Sequence, residues 1–346
     1  MARSELFAAS VVDHGGSLAR ARALFPQARE PWIDLSTGIN PHSYPFFDVP
    51  ATAFTRLPEA SRAAELAAVA ARAYGVPAGA NVVPAPGTQI LLPRVAALVP
   101  AGRARVLSPT YAEHCRAAAL AGHDVSEVTD FDDLFDADLA VLVNPNNPDG
   151  RVVDRARLLA LAEAMRRKGG LLVVDEAFMD VGPTAESVAG DVEQGGPVVL
   201  RSFGKFFGLA GLRLGFAVAA EAVARQLAAA LGPWAVAGPA LEYGIAALAD
   251  TDWQNDMRAR LEREATALDG VLARHGLPVS GGTSLFRFLR TTAAAEIFDL
   301  FGRHGILIRN FAERPHELRI GLPGSVQETN RIEQALRTWS GIEPHS

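Results

Sequence analysis

Pro197-Val198-Val199-Leu200-Arg201-Ser202-Phe203-Gly204-Lys205-Phe206-Phe207-Gly208-Leu209-Ala210-Gly211-Leu212-Arg213 opens as an apolar run and then turns sharply around a lysine set among glycines. Its first four residues and the following Gly215-Phe216-Ala217-Val218 are continuously apolar rather than alternating, the pattern of strands buried on both faces. The same texture recurs upstream at Ala104–Leu107, Leu139–Val143 and Gly170–Val174, each bounded by Gly, Pro, Asp or Asn. Between two of these runs, Arg155–Lys168 has helical periodicity and stops at Gly169-Gly170. Strand, helix and strand repeated this way predict an α/β fold, a mainly parallel sheet covered by helices.

After residue 230 the texture changes. Pro239–Gly270 reads as helix with a break near Asp250-Thr251-Asp252, and Ala293–Arg303 reads as a helix that stops at Gly305. Ser284–Phe288, Gly305–Arg309 and Glu317–Gly321 read as strands of a smaller α+β domain. The first 45 residues carry motifs but little periodicity and are expected to wrap onto the rest. The expected division is a large domain over 46–232, with 1–45 and 233–346 forming the N-terminal segment and the small domain.

A chain of 346 residues is long for one core, which agrees with that division. The net charge of -6 provides no basic surplus to neutralise phosphates, against a general nucleic-acid binder. The single cysteine, Cys115, excludes an internal disulfide framework and suits a reducing cytoplasm; it reads as a buried small residue. Met1–Glu5 lacks a basic segment followed by an apolar core, so no signal peptide is expected, and no apolar stretch is long enough for a bilayer.

Chemistry-bearing residues gather where the strand runs end. Pro86-Gly87-Thr88-Gln89 is a glycine turn ahead of a helix, and its backbone amides fit either a phosphate or a simple helix cap. Pro93 suits the first turn of that helix. Tyr111, in Ser108-Pro109-Thr110-Tyr111-Ala112-Glu113-His114, can stack on a flat heterocycle or simply pack; His114 can support a site carboxylate or sit satisfied in the interior. Asn144-Pro145-Asn146-Asn147-Pro148-Asp149-Gly150 fixes a sharp path at a strand end, where ligands collect in such sheets, and Asn147 can donate to a ring oxygen. Asp175, in Val173-Val174-Asp175-Glu176-Ala177-Phe178, can pair with a pyridinium nitrogen and keep it protonated. Lys205 can form an imine with an aldehyde cofactor and afterwards move protons, while Ser202 and Arg213 hold that cofactor's phosphate. The cofactor these groups imply is pyridoxal 5'-phosphate, whose protonated ring acts as an electron sink.

In chain order these motifs resemble the fold-type I pyridoxal-phosphate enzymes, the aspartate aminotransferase superfamily, from Pro86 to about Arg213 and again at Arg319. The resemblance implies a large domain with a seven-stranded type of sheet, a smaller α+β domain, and homodimers with sites at the interface. It gives Lys205, Asp175 and Tyr111 catalytic positions, and places Gly87, Thr88, Gln89, Asn147, Ser202 and Arg213 on the cofactor. Arg319, in Leu318-Arg319-Ile320, matches the family arginine for a substrate carboxylate. Within the superfamily the chain most resembles the threonine-phosphate decarboxylases of cobalamin biosynthesis, relatives of histidinol-phosphate aminotransferases. That likeness rests on Asp13-His14-Gly15-Gly16, Asp34-Leu35-Ser36-Thr37-Gly38-Ile39-Asn40-Pro41, Pro109–His114, Asp175–Phe178 and Leu318–Pro323.

Two departures from the aminotransferase pattern bear on the reaction. Phe178 stands where aminotransferases of this group usually have a tyrosine touching the ring oxygen, and Leu57 where a tyrosine reaches the neighbouring subunit's cofactor phosphate. The resemblance therefore implies loss of CO2 from a small phosphorylated amino acid, threonine phosphate, with an amino-acid aminotransferase as the alternative. Rotation of the substrate would be fixed by a distant anion anchor. The candidates are His14, Gly15, Gly16, Asn40, Asn147, Arg309 and Arg319; His14 and Arg309 read equally well as surface residues, and Arg319 can serve carboxylate or phosphate. A DNA-binding regulator on this fold is disfavoured because no basic helix-turn-helix precedes Gly87; no dinucleotide fingerprint or Walker loop follows a strand.

Overall fold

The computed structural model describes Phe7 and residues 14–339. Asp13 and the Met1–Glu5 stretch considered for a signal peptide lie outside the described residues. Contacts divide the chain into two compact units, one holding Tyr44–Asn147 and Val152–Trp253 and the other, among described residues, 14–43, Pro148–Arg151 and 254–339.

The first unit is built on a seven-stranded sheet in the order Val82–Ala85, Gly215–Val218, Val198–Ser202, Leu171–Asp175, Leu139–Val143, Arg103–Leu107, Asp124–Val128. Gly215–Val218 runs antiparallel to both neighbours, and the other adjacent pairs are parallel. Leu139–Val143 is buried at every position, which is why it reads as a continuous apolar run. Asp124–Val128 lies at the sheet edge, and its half-exposed Ser126 and exposed Glu127 hide it from that reading.

The helix over Arg155–Arg167 starts on Asp154, whose side chain accepts from the Arg157 N–H. Helix Gly238–Ala249 packs on helix Ala60–Tyr74, with Arg62 Nε donating to Glu242 Oε1 at 3.1 Å. A Cβ on Gly244 would come within 2.8 Å of Leu66 Cδ1, so the two helices meet closely. This packing carries the first unit on to Trp253, past the division expected at 232.

The second unit holds an antiparallel four-stranded sheet in the order Arg309–Asn310, Glu317–Gly321, Phe286–Arg290, Gly281–Thr283. A separate parallel pair joins Ile33–Asp34 to Ile306–Leu307. The single strand expected over Gly305–Arg309 is therefore two short ones that break at Ile308, because the chain leaves one sheet for the other there. The strand expected at Ser284–Phe288 begins two residues later, at Phe286. Helix is broken between Ala249 and Thr251, as the Asp250 signal predicts.

Candidate active site

Three parallel strands end side by side at Val143, Asp175 and Ser202, so their carboxyl ends deliver the next residues to one place. There a cavity of about 180 Å³ is lined by Gly87, Thr88, Gln89, Tyr111, Asn147, Asp175, Ser202, Lys205 and Arg213, together with Phe178 and Ala210. Every residue assigned to the cofactor from sequence thus lies on one wall or another of a single cavity.

Lys205 sits in the short helix Phe203–Phe206 that directly follows Ser202. Phe203, Phe206 and Phe207 are fully buried and root this turn in an aromatic cluster; Phe203 and Phe207 stack at 4.4 Å, and Phe207 stacks on Trp253 at 5.7 Å. The Lys205 ammonium lies 5.7 Å from the centre of the Phe178 ring. Phe178 is itself buried, so this wall offers an apolar face where a tyrosine would offer a hydroxyl.

Asp175 is buried, its Oδ1 accepting from the Ala177 N–H at 3.0 Å and its Oδ2 facing His114 Nε2 at 2.9 Å. A carboxylate only accepts, so the proton of that contact belongs to His114. The histidine is buried too, and this contact orients the acid. Its ring meets Tyr111 edge-on at 5.9 Å.

Tyr111 donates to Gln89 Oε1 at 3.1 Å. Burial, with the Glu113 and Asp175 charges, pushes the Tyr111 phenol up to about 12 against the pull of Arg213, so the hydroxyl stays protonated at neutral pH. Asn147 is carried by a loop pinned on both sides. Asn144 exchanges two hydrogen bonds with the Val153 backbone at 2.9 and 3.0 Å, and Asn146 accepts from Thr110 Oγ1 at 2.7 Å and donates to Pro109 O at 2.9 Å. The asparagines that make the motif distinctive in sequence therefore divide the work: two shape the loop and one faces the cavity.

Gly87 leads into a 3-10 turn, Thr88–Ile90, and then a short helix from Leu92 with Pro93 in its first turn. Gly87 has φ of +83°, and a Cβ there would stand 2.7 Å from Arg213 Nη2. The positive φ requires the glycine for the turn, and the guanidinium lies in the space its missing side chain leaves. Gly87 and Arg213 meet on this wall, and Thr88, Gln89 and Ser202 line the same cavity as a buried, histidine-held carboxylate and a lysine. This donor set fits a phosphate at one end of a ligand and a protonated heterocycle at the other, so the residues present fit pyridoxal phosphate.

A buried ion network that sequence reading missed stands behind the cavity. Arg201 donates from Nη1 to Glu176 Oε2 at 2.9 Å and from Nη2 to Asp180 Oδ1 at 2.7 Å, with its guanidinium 4.2 Å from the centre of the Tyr74 ring. Burial opposes the Arg201 charge, but Asp180 and Glu176 more than offset it and its pKa goes up. Glu176 follows Asp175 and Arg201 precedes Ser202, so the bridge ties together the two strand ends that carry the acid and the lysine. Only the pairing of strands brings these residues together, and no local motif announces it.

The substrate candidates, Asn147 apart, belong to the second unit. His14, Gly15, Gly16 and Arg309 line a small cavity of about 30 Å³ there, joined by Arg20 and Ser36. The Gly16 N–H donates to Ser36 Oγ at 2.7 Å, and a Cβ on Gly15 would fall 2.5 Å from Ser36 O. Arg319 and Asn40 are not on that wall: Arg319 is buried and donates to Ser36 O, and Asn40 Oδ1 accepts from the His42 N–H at 2.8 Å. Arg309 and Arg319 are direct cross-strand partners. Burial first, then the Arg309 charge, holds the Arg319 pKa down at about 10, with Asp34 opposing. Like charges opposed across a ladder are unfavourable, and Asp34 offsets part of that repulsion at Arg319.

No helix among the described residues is long and apolar enough to cross a membrane. The aminotransferase class I and II family matches residues 53–336. The chain is similar to a threonine-phosphate decarboxylase of Pseudomonas aeruginosa, 42% identical over 329 residues, which covers 94% of this chain and 97% of the relative. A threonine-phosphate decarboxylase of a Sinorhizobium species is 43% identical over 326 residues, 93% of this chain and 97% of that protein. Among solved structures, the histidinol-phosphate aminotransferase from Sinorhizobium meliloti in complex with pyridoxal-5'-phosphate shares the fold at a TM-score of 0.78 and 22% identity, over 94% of this chain and 96% of that one. The family match spans most of the sequence and agrees with the sheet order and the lysine cavity: the chain belongs to the aminotransferase class I and II family.

Proposed function

We propose that this protein is a pyridoxal-phosphate enzyme that decarboxylates L-threonine O-3-phosphate to (R)-1-amino-2-propanol O-2-phosphate, a step of cobalamin biosynthesis. The observation that carries this reading is the identity of 42–43% with threonine-phosphate decarboxylases over almost the whole chain. When bound, the cofactor supplies an aldehyde that joins covalently to amines and a protonated ring that withdraws electrons from Cα.

The protein's own part is positioning and proton management. Gly87, Thr88, Gln89, Ser202 and Arg213 would hold the phosphate, the guanidinium through charge-assisted hydrogen bonds. Asp175, kept in place by His114 and the Ala177 N–H, would hold the proton on the ring nitrogen. Asn147 would donate to the ring oxygen, and Tyr111 would lie against the ring as a neutral phenol. Lys205 would hold the aldehyde in the resting protein and, once displaced, carry a proton at Nζ toward Cα.

Arg309 and Arg319 with His14, Gly15, Gly16 and Asn40 are the residues that would take the substrate's anions. A decarboxylase needs the Cα bond to the carboxylate perpendicular to the ring, and a fixed anchor for the substrate phosphate would select that rotation. Phe178 favours this outcome over transamination, since its ring gives the cofactor oxygen no hydroxyl.

A homodimer forms part of the proposal. Phe54, Leu57 and Trp234 of the first unit are 68%, 64% and 59% exposed, and large apolar side chains of this kind are what a subunit interface would cover. A cytoplasmic setting is proposed as well, and a buried Cys115, the single cysteine, agrees with it. The test is incubation of cofactor-loaded protein with threonine phosphate in the absence of any 2-oxo acid. CO2 and the aminopropanol phosphate are expected; product that appears only with a 2-oxo acid present would assign an aminotransferase instead.

A further inference from the structure

Glu113 is 5% exposed, stands next to His114 at the start of the helix Glu113–Leu120, and has no role in the cofactor and substrate assignments. Its Oε2 accepts from Gln89 Nε2 at 2.6 Å, and Arg116 Nη1 approaches the same oxygen at 3.4 Å. On its other side Gln89 accepts the Tyr111 hydroxyl through Oε1 at 3.1 Å. The three residues form a relay from a buried charge to the aromatic ring on the cavity wall.

The inventory of donors and acceptors fixes the direction of that relay. A glutamine amide has one accepting and one donating end, and which end points where is settled by its partners. A carboxylate accepts only, so Glu113 must face the NH2 group, and the carbonyl is left turned to Tyr111. A phenol facing a carbonyl must donate. The hydroxyl proton of Tyr111 is thereby committed to Gln89, and the same Glu113 charge helps keep that phenol protonated. Residues 113 and 114 thus act as a pair of supports, His114 for Asp175 and Glu113 for Tyr111.

We propose that Glu113 is a positioning residue, which sets the Gln89 amide and through it locks the Tyr111 ring in the orientation that the cofactor meets. The proposal rests on the reading of this cavity as the pyridoxal-phosphate site. With a glutamine at 113 either end of the Gln89 amide can face it, and Tyr111 loses its defined acceptor.

The experiment is a double-mutant cycle on the holoenzyme: wild type, Glu113→Gln, Tyr111→Phe and both together. Two quantities are read, the dissociation constant for pyridoxal phosphate and the visible circular dichroism of the bound cofactor, which reports how the ring is held. Glu113→Gln should weaken cofactor binding roughly tenfold and diminish the dichroic band, as expected when a charge-assisted hydrogen bond is lost. In the Tyr111→Phe background, where the relay has no hydroxyl to hold, the same change should alter binding by less than about twofold. Equal effects in both backgrounds, or no effect in either, would overturn the proposal.

Gln89→Leu removes the side-chain middle of the relay and keeps the residue's backbone N–H in the phosphate turn, so its effect on the dichroic band should also shrink in the Tyr111→Phe background; persistence there counts against the relay. A wild-type protein with no cofactor band abolished by Lys205→Ala overturns the cofactor reading, and this inference with it. A band that is present yet indifferent to Glu113 overturns this inference alone.

Discussion

Replacing Arg201 with methionine tests the buried bridge that joins the Asp175 and Lys205 strand ends. Arg201 is 4% exposed and makes one charged hydrogen bond to each of two buried carboxylates, Glu176 and Asp180. Methionine fills much of the volume but leaves both acids without their cation. Breaking a buried pair from one side costs about 3–5 kcal/mol, a large part of the roughly 5–15 kcal/mol that stabilises a typical domain.

The loss should depend on pH, and Glu176 sets the sign. Burial already raises its pKa, against Arg201, Ser187 and the Val188 N–H, which all pull it down. Removing Arg201 takes away the strongest of those opposing influences, so the folded-state pKa rises further above the unfolded one. A carboxyl of that kind binds its proton more tightly when folded. Its stabilising effect is full below the unfolded carboxyl range and is lost as pH rises through the folded pKa. The variant should therefore lie furthest below wild type near pH 8 and recover part of the deficit near pH 5.5, by at most about 1.4 kcal/mol per pH unit for one group.

Urea unfolding followed by tryptophan fluorescence at both pH values measures this. Arg201→Met combined with Glu176→Gln and Asp180→Asn should regain most of the loss at pH 8, since no buried charge is then left alone. A deficit under about 1 kcal/mol at pH 8, or one that deepens toward acid, would refute the reasoning.

Arg213→Met should weaken pyridoxal-phosphate binding by roughly tenfold to a hundredfold, the value of a hydrogen bond to a charged group, in equilibrium titration; an unchanged dissociation constant would remove Arg213 from the phosphate. Arg319→Met should raise KM for threonine phosphate by a similar factor while leaving cofactor affinity alone, and steady-state kinetics beside a cofactor titration separate the two. Asn144→Ala strands the Val153 N–H and C=O it now satisfies, so about 1–3 kcal/mol of stability should be lost in denaturant melts. It should also lower kcat through the adjoining Asn147 loop, and full activity with full stability would show that the loop needs no such pin.

Much of this architecture is legible in the chain because the sheet is buried on both faces and its strands read as unbroken apolar runs. The strand ends are equally legible, since Asn147, Asp175 and Lys205 each lie at or just beyond the end of such a run. Where the pattern is weak the physical cause is specific. Asp124–Val128 is an edge strand with polar residues on its open face, and Val82–Ala85, the opposite edge, contains Pro84. The run from Gly305 to Arg309 is apolar throughout its middle, yet it serves two sheets, and nothing local to those residues encodes the switch. Helix Gly238–Ala249 is plain in sequence, but its allegiance to the first unit depends on meeting Leu66 on a distant helix. The supports of the site, Arg201 with Glu176 and Glu113 with Gln89, are contacts between segments far apart in the chain. Charged residues next to a motif look like solvated charges until the fold buries them.

The most direct test of the whole account is chemical trapping at one side chain. Protein incubated with pyridoxal phosphate and reduced with borohydride should gain one cofactor mass per chain, and peptide mapping should place it on Lys205. Lys205→Ala should take up none in a stable form. Labelling at Lys168, the other lysine of this chain, or no stable label at all, would contradict the assignment of this cavity.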